Sequence, residues 1–466
     1  MTKAASAAAK DLAVAGVTGV QIAWADNNGI PRSRIVPIQG LADAATRGIG
    51  ITALFAVFDT HDRITYAHPG LSTPSGDVRL VPVFDRLRRL AGQRALAWAP
   101  GRQIAADGSP WPYCQRTLLE RQVAAAARQG YELRAGYELE FAVAPAGSPD
   151  IASAPGHQGP AYSPHALIGL DAFIAALLHD FEVNGLPLHQ LHAEYGLAQV
   201  ELSLRATDPV SAADDQLLAR QTIHAAAHAH GLRASFAPIV APQAAGNGWH
   251  LHTSLWRKRR TVPVVADPAG SQGAGRIGNL LTGIPGGDGA GYIAGLLREL
   301  PALTAITAPS VLSTMRLRPG YFASAYGFWG VENREAPLRF VPGTDLLGAG
   351  HANVELKPSD ASANPYLALT AVLAAGLAGM DEGLTLPEPI AEDPGTWSEQ
   401  RRTAARVDRL PSTPAEQDAA LVASKTVSGA LGAELLGAFR AVRHSDAKWA
   451  AERGTDEIIA AHLWRY

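Results

Sequence analysis

Apolar and polar residues alternate with a period of two along several short segments of the chain, a pattern that predicts β-strands. Two such segments, 17–25 and 32–37, are separated by the turn sequence Asp26–Gly29, which predicts an antiparallel hairpin. The N-terminal part of the chain therefore predicts a small unit that is rich in sheet and poor in helix. Its other expected elements are a helix at 41–47 and strands at 52–58, 78–82 and 95–98.

The remainder of the chain combines segments of helical period with further strands. The longest apolar stretch, 366–380, is interrupted by Thr370 and two glycines and is short for a bilayer span, so it predicts a buried helix. Residues 1–10, which are rich in alanine and lack a signal-peptide pattern, predict a short disordered lead-in. The other expected helices are 115–128, 171–184, 208–230 and 290–300; the expected strands are 189–193, 199–204, 233–238, 250–256 and the one around Glu138; 267–289 is expected to be a loop.

Composition excludes several classes of partner. The chain has 40 Lys and Arg against 43 Asp and Glu, for a net charge of −3, so no nucleic-acid or anionic-membrane partner is expected. A single cysteine, Cys114, excludes an intramolecular disulfide and predicts a small buried side chain. Together with the absence of a predicted membrane span, these features indicate a cytoplasmic protein.

Carboxylates on strands are the most informative feature. Glu138 and Glu140 stand two positions apart in the otherwise apolar segment Gly136–Phe141, so both project from one face of the strand. Two like charges so close need a cation, a proton or open water between them. Further carboxylate and imidazole groups fall on strand-like segments downstream, at Glu194, Glu201, His250, His252 and Glu355. The pattern therefore predicts a carboxylate-rich metal site.

This set of ligands narrows the chemistry. Structural zinc prefers cysteine and histidine, whereas Mg²⁺ and Mn²⁺ take oxygen ligands and leave positions open for phosphate. Arg316, Arg334 and Arg339 follow in one segment, and guanidinium groups suit carboxylate and phosphate oxygens. No Walker loop, dinucleotide fingerprint or nucleophile elbow occurs in a fitting context, which disfavours dehydrogenases and serine hydrolases.

Taken in order, these motifs resemble those of glutamine synthetases of the bacterial type I class over nearly the whole chain. The matching segments are 26–33, 136–141, 194–201, 250–255, 315–320, 332–335 and 359–367. The resemblance implies an α+β fold, with a small N-terminal β-grasp domain (1–108) and a large catalytic domain (109–466) built on a curved antiparallel sheet with flanking helices. It also implies a homo-dodecamer of two rings in which neighbouring subunits share active sites.

The resemblance implies a role for each candidate site residue. Glu140, Glu194 and Glu201 match the ligands of one metal ion, and Glu138, His250 and Glu355 match those of another. Nucleotide-side positions correspond to His252, Ser254 and Arg339, and the arginine that meets the transferred phosphoryl group corresponds to Arg334. Positions around glutamate correspond to Gly246, His250, Arg316 and Lys357, the last replacing a usual arginine. Asp59 matches the acidic residue that the small domain lends to the next subunit.

The implied reaction uses ATP and two or three Mg²⁺ or Mn²⁺ ions to convert the γ-carboxylate of glutamate into an acyl phosphate, which a neutral amine then attacks. In ammonia-using enzymes a glutamate follows Pro-Gly-Tyr, whereas this chain has Phe322. An aromatic ring cannot deprotonate ammonium, but it can wall a pocket for the carbon chain of an organic amine.

With the segment Trp329–Glu335, Phe322 resembles the γ-glutamylpolyamine and γ-glutamylamide synthetase branch of actinobacteria. That branch implies ligation of glutamate to a polyamine or another organic amine. Three alternatives stay open: glutamine synthesis from ammonia, a catalytically silent scaffold of the same family, and an unrelated metal-dependent ligase.

Overall fold

The protein is described by a computed structural model that covers residues 2–258, 277–282 and 287–466. These residues form the expected α+β fold, with two separate sheets. Strands of the first sheet pair in the order β2–β1–β6–β4–β3, with β5 added to β6; β1 and β6 run parallel and the other pairs antiparallel. The strands are β1 (Gly19–Ala25), β2 (Pro31–Pro37), β3 (Ile49–Thr52), β4 (Asp77–Pro82), β5 (Arg88–Arg89) and β6 (Leu96–Ile104).

The predicted hairpin is present, and its turn packs on the second half of the chain. The carboxylate of Asp26 fixes the turn by accepting a hydrogen bond of 2.8 Å from the amide of Asn28. Gly29 has a φ of 67°, and a Cβ atom there would lie 2.3 Å from the carbonyl oxygen of Ala363, so only glycine fits. The buried guanidinium of Arg220 donates to the carbonyl of Gly29 (2.8 Å), and Asn364 donates to that of Asp26 (3.0 Å).

The second sheet carries most of the candidate site residues. Its order is β13–β14–β15–β11–β7–β9–β8, with β10 also on β7 and β12 on β11. The described pairs are antiparallel, as expected, apart from the edge pair β13–β14, which is parallel. The strands are β7 (Tyr131–Pro145), β8 (Leu188–Ala193), β9 (Gln199–Leu204), β10 (Leu232–Ser235), β11 (Leu251–Lys258), β12 (Ile277–Asn279), β13 (Trp329–Val331), β14 (Leu338–Val341) and β15 (Asn353–Leu356).

Helices pack around this sheet. The apolar stretch near residue 370 forms the expected buried helix α9, in which Leu367, Leu369 and Leu373 are fully buried. None of the described helices combines the length and the hydropathy that a membrane span requires. The helices are α1 (Thr2–Val14), α2 (Leu41–Arg47), α3 (Gln115–Arg128), α4 (Pro164–Ile168), α5 (Asp171–Val183), α6 (Pro209–Ala229), α7 (Asp288–Thr307), α8 (Ser313–Arg316), α9 (Pro365–Asp381), α10 (Glu399–Ala404), α11 (Pro414–Ala423), α12 (Lys425–Leu431), α13 (Ala433–Ala451) and α14 (Thr455–His462).

Two predictions for the first 60 residues were wrong. The disordered lead-in is instead helix α1, because its alanine-rich sequence favours helix and Ala5 and Leu12 are buried. Of the strand predicted at 52–58, only Thr52 is in a strand, as the last residue of β3. A 3-10 helix, Ala53–Val57, follows it. Side-chain amides of Asn27 and Asn28 donate to the carbonyls of Ala56 and Phe58, both at 2.8 Å, and so occupy acceptors that a strand would pair.

The loop predicted at 267–289 lies mostly outside the described residues. Its described parts include strand β12 and the start of α7 at Asp288, so at these positions the prediction was wrong. The domain boundary predicted after residue 108 falls between Ile104, which ends β6, and Tyr131, which begins β7. The division into two domains stays an interpretation.

Candidate active site

Neighbouring strands of the second sheet bring most of the predicted ligands together. Strand β7 lies between β9 and β11, and β11 pairs with β15. This register places Glu140 opposite Glu201 across β7 and β9. On the other side of β7, the amide of Glu138 donates to the carbonyl of His250 at 3.1 Å. Because strand register fixes the side chains that share a face, residues far apart in sequence converge here.

The Glu138 cluster consists of Glu138, His250 and Glu355. Nδ1 of His250 lies 3.1 Å from Oε2 of Glu138 and 3.4 Å from Oε1 of Glu355. One potential ligand atom of each residue lies within 4.8 Å of the others, a spacing that one divalent cation can bridge. The structure therefore brings together all three residues that the sequence assigned to one metal ion, although their binding of an ion stays a prediction.

The Glu194 cluster consists of His192, Glu194 and Glu201, and His192 was not among the predicted ligands. Nε2 of His192 lies 2.9 Å from Oε2 of Glu194 and 3.8 Å from Oε1 of Glu201. The hydroxyl of Tyr162 donates to Oε1 of Glu194 at 2.6 Å. A sequence signal was available, because His192 and Glu194 stand two positions apart at the end of a predicted strand and so share a face.

Glu140, the third predicted ligand of that ion, lies between the two clusters. Its Oε2 accepts hydrogen bonds from Nε2 of Gln199 (2.9 Å) and from the amide of Gly248 (2.7 Å). Its Oε1 lies 3.6 Å from Nε2 of His250, which belongs to the Glu138 cluster. The carboxylate is thus oriented by Gln199 and Gly248, with one oxygen left facing the space between the clusters.

The charges at the site are strongly coupled. Burial, together with the carboxylates of Glu138, Glu140 and Glu194, raises the pKa of Glu201 to about 10. Burial also opposes ionisation of Glu138, but His252 and His250 outweigh it and hold the pKa of Glu138 well below its usual range. Without a cation, the site therefore relieves repulsion by keeping a proton on Glu201.

This donor set fits hard divalent cations. Five carboxylates and two imidazoles converge with no cysteine among them, and buried carboxylates this close need positive charge between them. The raised pKa of Glu201 agrees with this fit, because it reflects the repulsion between carboxylates that a bound cation would remove. The residues present thus suit Mg²⁺ or Mn²⁺ better than zinc in a closed sulfur-rich site.

A cavity of about 590 Å³ adjoins the Glu138 cluster on the side of β11. Glu138, His252 and Ser254 line it, and so does Trp256, whose indole N–H donates to Oγ of Ser254 at 2.8 Å. The guanidinium of Arg134 lies 4.2 Å from the centre of the Trp256 ring. A cavity of this volume, with polar groups at one end and an aromatic ring in its wall, suits a nucleotide-sized ligand.

His252 and Arg339, both predicted on the nucleotide side, are linked to the metal ligands. Burial lowers the pKa of His252, but the Glu138 carboxylate outweighs it and raises that pKa to about 9, so the imidazole is cationic at neutral pH. Nη1 of Arg339 lies 3.0 Å from Oε2 of Glu355, across β14 and β15. Both positively charged side chains therefore lie beside the Glu138 cluster, and contact with a nucleotide stays a prediction.

The residues predicted around glutamate form a tightly packed group. Arg316 is 3% exposed, and its Nη2 donates to the carbonyls of Ser359 (2.8 Å) and Lys357 (3.3 Å). A Cβ atom on Gly246 would lie 2.7 Å from Cγ of Arg316. The ammonium group of Lys357 lies 3.2 Å from Oε1 of Glu355. The group therefore adjoins the Glu138 cluster, but contact with glutamate stays a prediction.

The other three predicted residues differ in setting. Arg334 is exposed and forms no ion pair with the residues that the structure describes. Phe322 is 52% exposed, with a φ of 52°. Asp59 is fully buried: its carboxylate accepts hydrogen bonds from the amides of His61 and Arg63 and from the hydroxyl of Ser445, each at 2.9 Å. This placement gives Asp59 a structural role and does not support its predicted reach to another subunit, which stays a prediction.

The chain is similar to proteins of the glutamine synthetase family over most of its length. The profile of the glutamine synthetase catalytic domain matches residues 112–459. A γ-glutamylpolyamine synthetase of Streptomyces coelicolor is 42% identical over 463 residues, which cover 99% of this chain and 96% of that protein. A glutamine synthetase of Pyrococcus furiosus is 30% identical over 423 residues, covering 89% of this chain and 86% of that protein.

Solved structures agree. One, described as a novel glutamine synthase homologue, superposes with a TM-score of 0.82 at 28% identity, covering 97% of this chain and 99% of its own. Another, a complex of GmaS with ADP, superposes with a TM-score of 0.80 at 25% identity, covering 96% of this chain and 97% of its own. The similarity therefore spans both sheets and all of the site described above.

Proposed function

The chain belongs to the glutamine synthetase family and is a ligase, and from this premise we propose that it joins the γ-carboxylate of glutamate to a polyamine with hydrolysis of ATP. The observation that carries the proposal is the pair of carboxylate clusters beside a nucleotide-sized cavity, in a chain whose relative of 42% identity is a γ-glutamylpolyamine synthetase. The intermediate in this proposal is γ-glutamyl phosphate.

In this proposal each cluster binds one divalent cation. Glu138, His250 and Glu355 would hold one divalent cation, and Glu140, Glu194 and Glu201, joined by His192, would hold another. When bound, such cations neutralise phosphate charge and align ATP with the acceptor carboxylate. Binding also requires Glu201 to lose the proton that its raised pKa retains.

The other residues bind and orient the substrates. His252, Ser254 and Arg339 stand on the nucleotide side, and the cationic His252 and Arg339 can donate to phosphate oxygens. The exposed guanidinium of Arg334 is free to meet the transferred phosphoryl group, as an arginine clamp does. Residues Gly246, Arg316 and Lys357 form the side of the site assigned to glutamate.

Phe322 supports an organic amine, rather than ammonia, as the second substrate. Its half-exposed ring offers an apolar surface for a methylene chain, and it has no group that can take a proton from ammonium. Glutamine synthesis from ammonia is the second candidate, since the Pyrococcus relatives are glutamine synthetases and the metal clusters do not distinguish the two reactions.

The proposal also covers the oligomeric state and the cellular location of the protein. Family resemblance supports a cytoplasmic homo-dodecamer in which a neighbouring subunit completes each site, and sedimentation of the purified protein would test the subunit number. Because Asp59 is buried in its own chain, the acidic contribution from the neighbour would have to come from another residue or from a rearranged loop.

The proposal is tested by phosphate release from ATP in the presence of glutamate and Mg²⁺, compared across ammonium, putrescine, spermine and ethanolamine. We expect turnover with a polyamine and little with ammonium. Turnover mainly with ammonium would restore glutamine synthesis, and no turnover with any amine, while ATP still binds, would favour a scaffold. Mass spectrometry of the product should show one glutamyl group linked through an amide.

A further inference from the structure

The proposed reaction requires a proton acceptor, and this inference rests on that proposed function. Aliphatic amines resemble the lysine side chain, whose pKa is about 10.4, so at neutral pH their nitrogen is an ammonium without a lone pair. It must lose a proton before it attacks the acyl phosphate. Phe322, which walls the proposed amine pocket, cannot take that proton, and the carboxylates of the two clusters are committed to cations.

Three segments meet beside Phe322. The hydroxyl of Ser324 donates to the backbone carbonyl of Glu335 at 3.1 Å, which ties the Phe322 loop to the segment Glu332–Pro337. Asn333 in that segment donates to the carbonyls of Ile390 (2.9 Å) and Glu392 (3.0 Å). The third segment, 390–395, therefore lies against the second. It also approaches the Phe322 loop, since a Cβ atom on Gly395 would lie 3.2 Å from Cβ of Pro319, and Asp393 lies within it.

The same segment also reaches the glutamate side of the site. The amide of Lys357 donates to the carbonyl of Pro337 at 3.0 Å, and the ammonium group of Lys357 lies 3.2 Å from the metal ligand Glu355. Glu335 is two residues from Pro337 and is partly exposed. The segment that carries Glu335 thus lies between the Phe322 loop and the lysine assigned to glutamate, where the two substrates of the proposed reaction would meet.

We propose that Glu335 is the catalytic residue that accepts the proton of the amine substrate. Ser324, two residues from Phe322, donates to the backbone carbonyl of Glu335 at 3.1 Å, and the Phe322 amide is one of the groups that lower the pKa of the Glu335 carboxylate, so this carboxylate lies near the residue that would wall the amine pocket. Glu335 belongs to neither metal cluster. The carboxylate that the chain lacks at position 322 is thereby supplied from position 335, across the loop.

Its electrostatic setting suits this role. Burial and the nearby carboxylate of Asp393 raise the pKa of Glu335, while the Phe322 amide and the charge of Lys357 lower it by less. The net rise brings the pKa of Glu335 closer to neutral pH, and a general base is most effective when its pKa lies near the pH at which the enzyme works.

The ammonium R–NH₃⁺ gives one proton to the Glu335 carboxylate and becomes R–NH₂. The nitrogen lone pair attacks the γ-carbonyl carbon, the C–N bond forms, and the C–O bond to phosphate breaks. The second proton leaves nitrogen with the departing phosphate, whose oxygens accept it. Glu335 then returns its own proton to water.

Hydroxylamine separates this role from the rest of the reaction. Its nitrogen is uncharged at neutral pH, so it traps γ-glutamyl phosphate as the hydroxamate without needing a proton acceptor. For Glu335→Gln we expect hydroxamate formation close to that of the wild type, and a loss of about 100-fold or more in kcat/KM for putrescine and spermine. Glu332→Gln, which changes an exposed carboxylate of the same segment, should leave both rates unchanged.

The hydroxamate rate and the polyamine rate of Glu335→Gln together distinguish a proton acceptor from a structural residue. Equal retention of both rates in Glu335→Gln would overturn the proposal, and so would an equal loss of both, which indicates a structural role. Should the glutamine variant fail to fold, Glu335→Ala assayed with added formate serves instead: recovery of the polyamine rate supports the proposal, and no recovery despite full hydroxamate formation overturns it. Wild-type protein that forms no hydroxamate would refute the ligase function itself, and Glu335's role with it.

Discussion

The contact between Gly246 and Arg316 yields the sharpest test of the substrate side of the site. In Gly246→Ala the new Cβ atom would lie 2.3 Å from the carbonyl oxygen of Pro238 and 2.7 Å from Cγ of Arg316. The first atom is backbone, and Arg316 is buried and bonded to the carbonyl of Ser359 at 2.8 Å. Neither can move alone, so we expect a destabilisation of about 1–3 kcal/mol, as for other overpacked sites.

The expected readouts separate binding from folding. If displacement of Arg316 costs glutamate about 1.4 kcal/mol of binding, its KM rises about 10-fold. The KM for ATP should change much less, because the nucleotide-sized cavity is lined by His252 and Ser254 and not by Gly246. A thermal melt should show a lower midpoint for the variant than for the wild type.

Gly169→Ala is the matched control, since a Cβ atom there meets nothing within 4 Å and the residue has an ordinary φ of −69°. Its melting midpoint and its KM values should equal those of the wild type. The reasoning would be refuted if Gly246→Ala matched the wild type in both the melt and the KM for glutamate, because the close contacts would then carry no consequence.

Three further changes test other parts of the site. His192→Ala should weaken binding of one of two cations by about 10–100-fold and leave the other site intact, which a Mn²⁺ titration followed by electron paramagnetic resonance would resolve; two unchanged sites would exclude His192 as a ligand. Phe322→Glu should raise kcat/KM for ammonium relative to putrescine, and an unchanged ratio would remove Phe322 from the choice of amine. The pKa of Glu201 is about 10 in the folded protein without a cation, above its ordinary value, so Glu201 is protonated at neutral pH. Cation binding should therefore release a proton. Cation affinity should rise as the pH is raised from neutral toward pH 10. Calorimetry in buffers of different ionisation enthalpy would count that proton, and Glu201→Gln should abolish its release.

Much of the site was predictable because strand geometry is regular. A period of two put Glu138 and Glu140 on one face, and the family motifs supplied the remaining ligands in order, so the Glu138 cluster assembled as expected. The clusters lie on or next to strands β7, β8, β9, β11 and β15, which pair antiparallel in the second sheet. The carboxylate pattern thus carried information on both local structure and chemistry.

What the sequence did not predict depends on contacts between distant elements. His192 joins the Glu194 cluster only through the register of β8 on β9, which shifts between Leu188 and Gln190. The position of Glu335 depends on the loop that Ser324 anchors. Helix α1 was missed because the burial of Leu12 that stabilises it is a tertiary effect. Asp59 was assigned by family resemblance, and only the fold shows that its carboxylate accepts three hydrogen bonds from its own chain.

The docking of the hairpin turn couples the stability of the second sheet to that of the first. A fragment limited to residues 109–466 would lose the carbonyl of Gly29, to which the buried Arg220 guanidinium donates, and the carbonyl of Asp26, to which Asn364 donates. A hydrogen bond to a charged group contributes about 1.5–3 kcal/mol, a sizeable part of the roughly 5–15 kcal/mol that keeps a typical protein folded. The catalytic sheet is therefore not a separable module, and swapping its N-terminal portion with that of a relative requires the turn and residues 220 and 362–364 to be exchanged together.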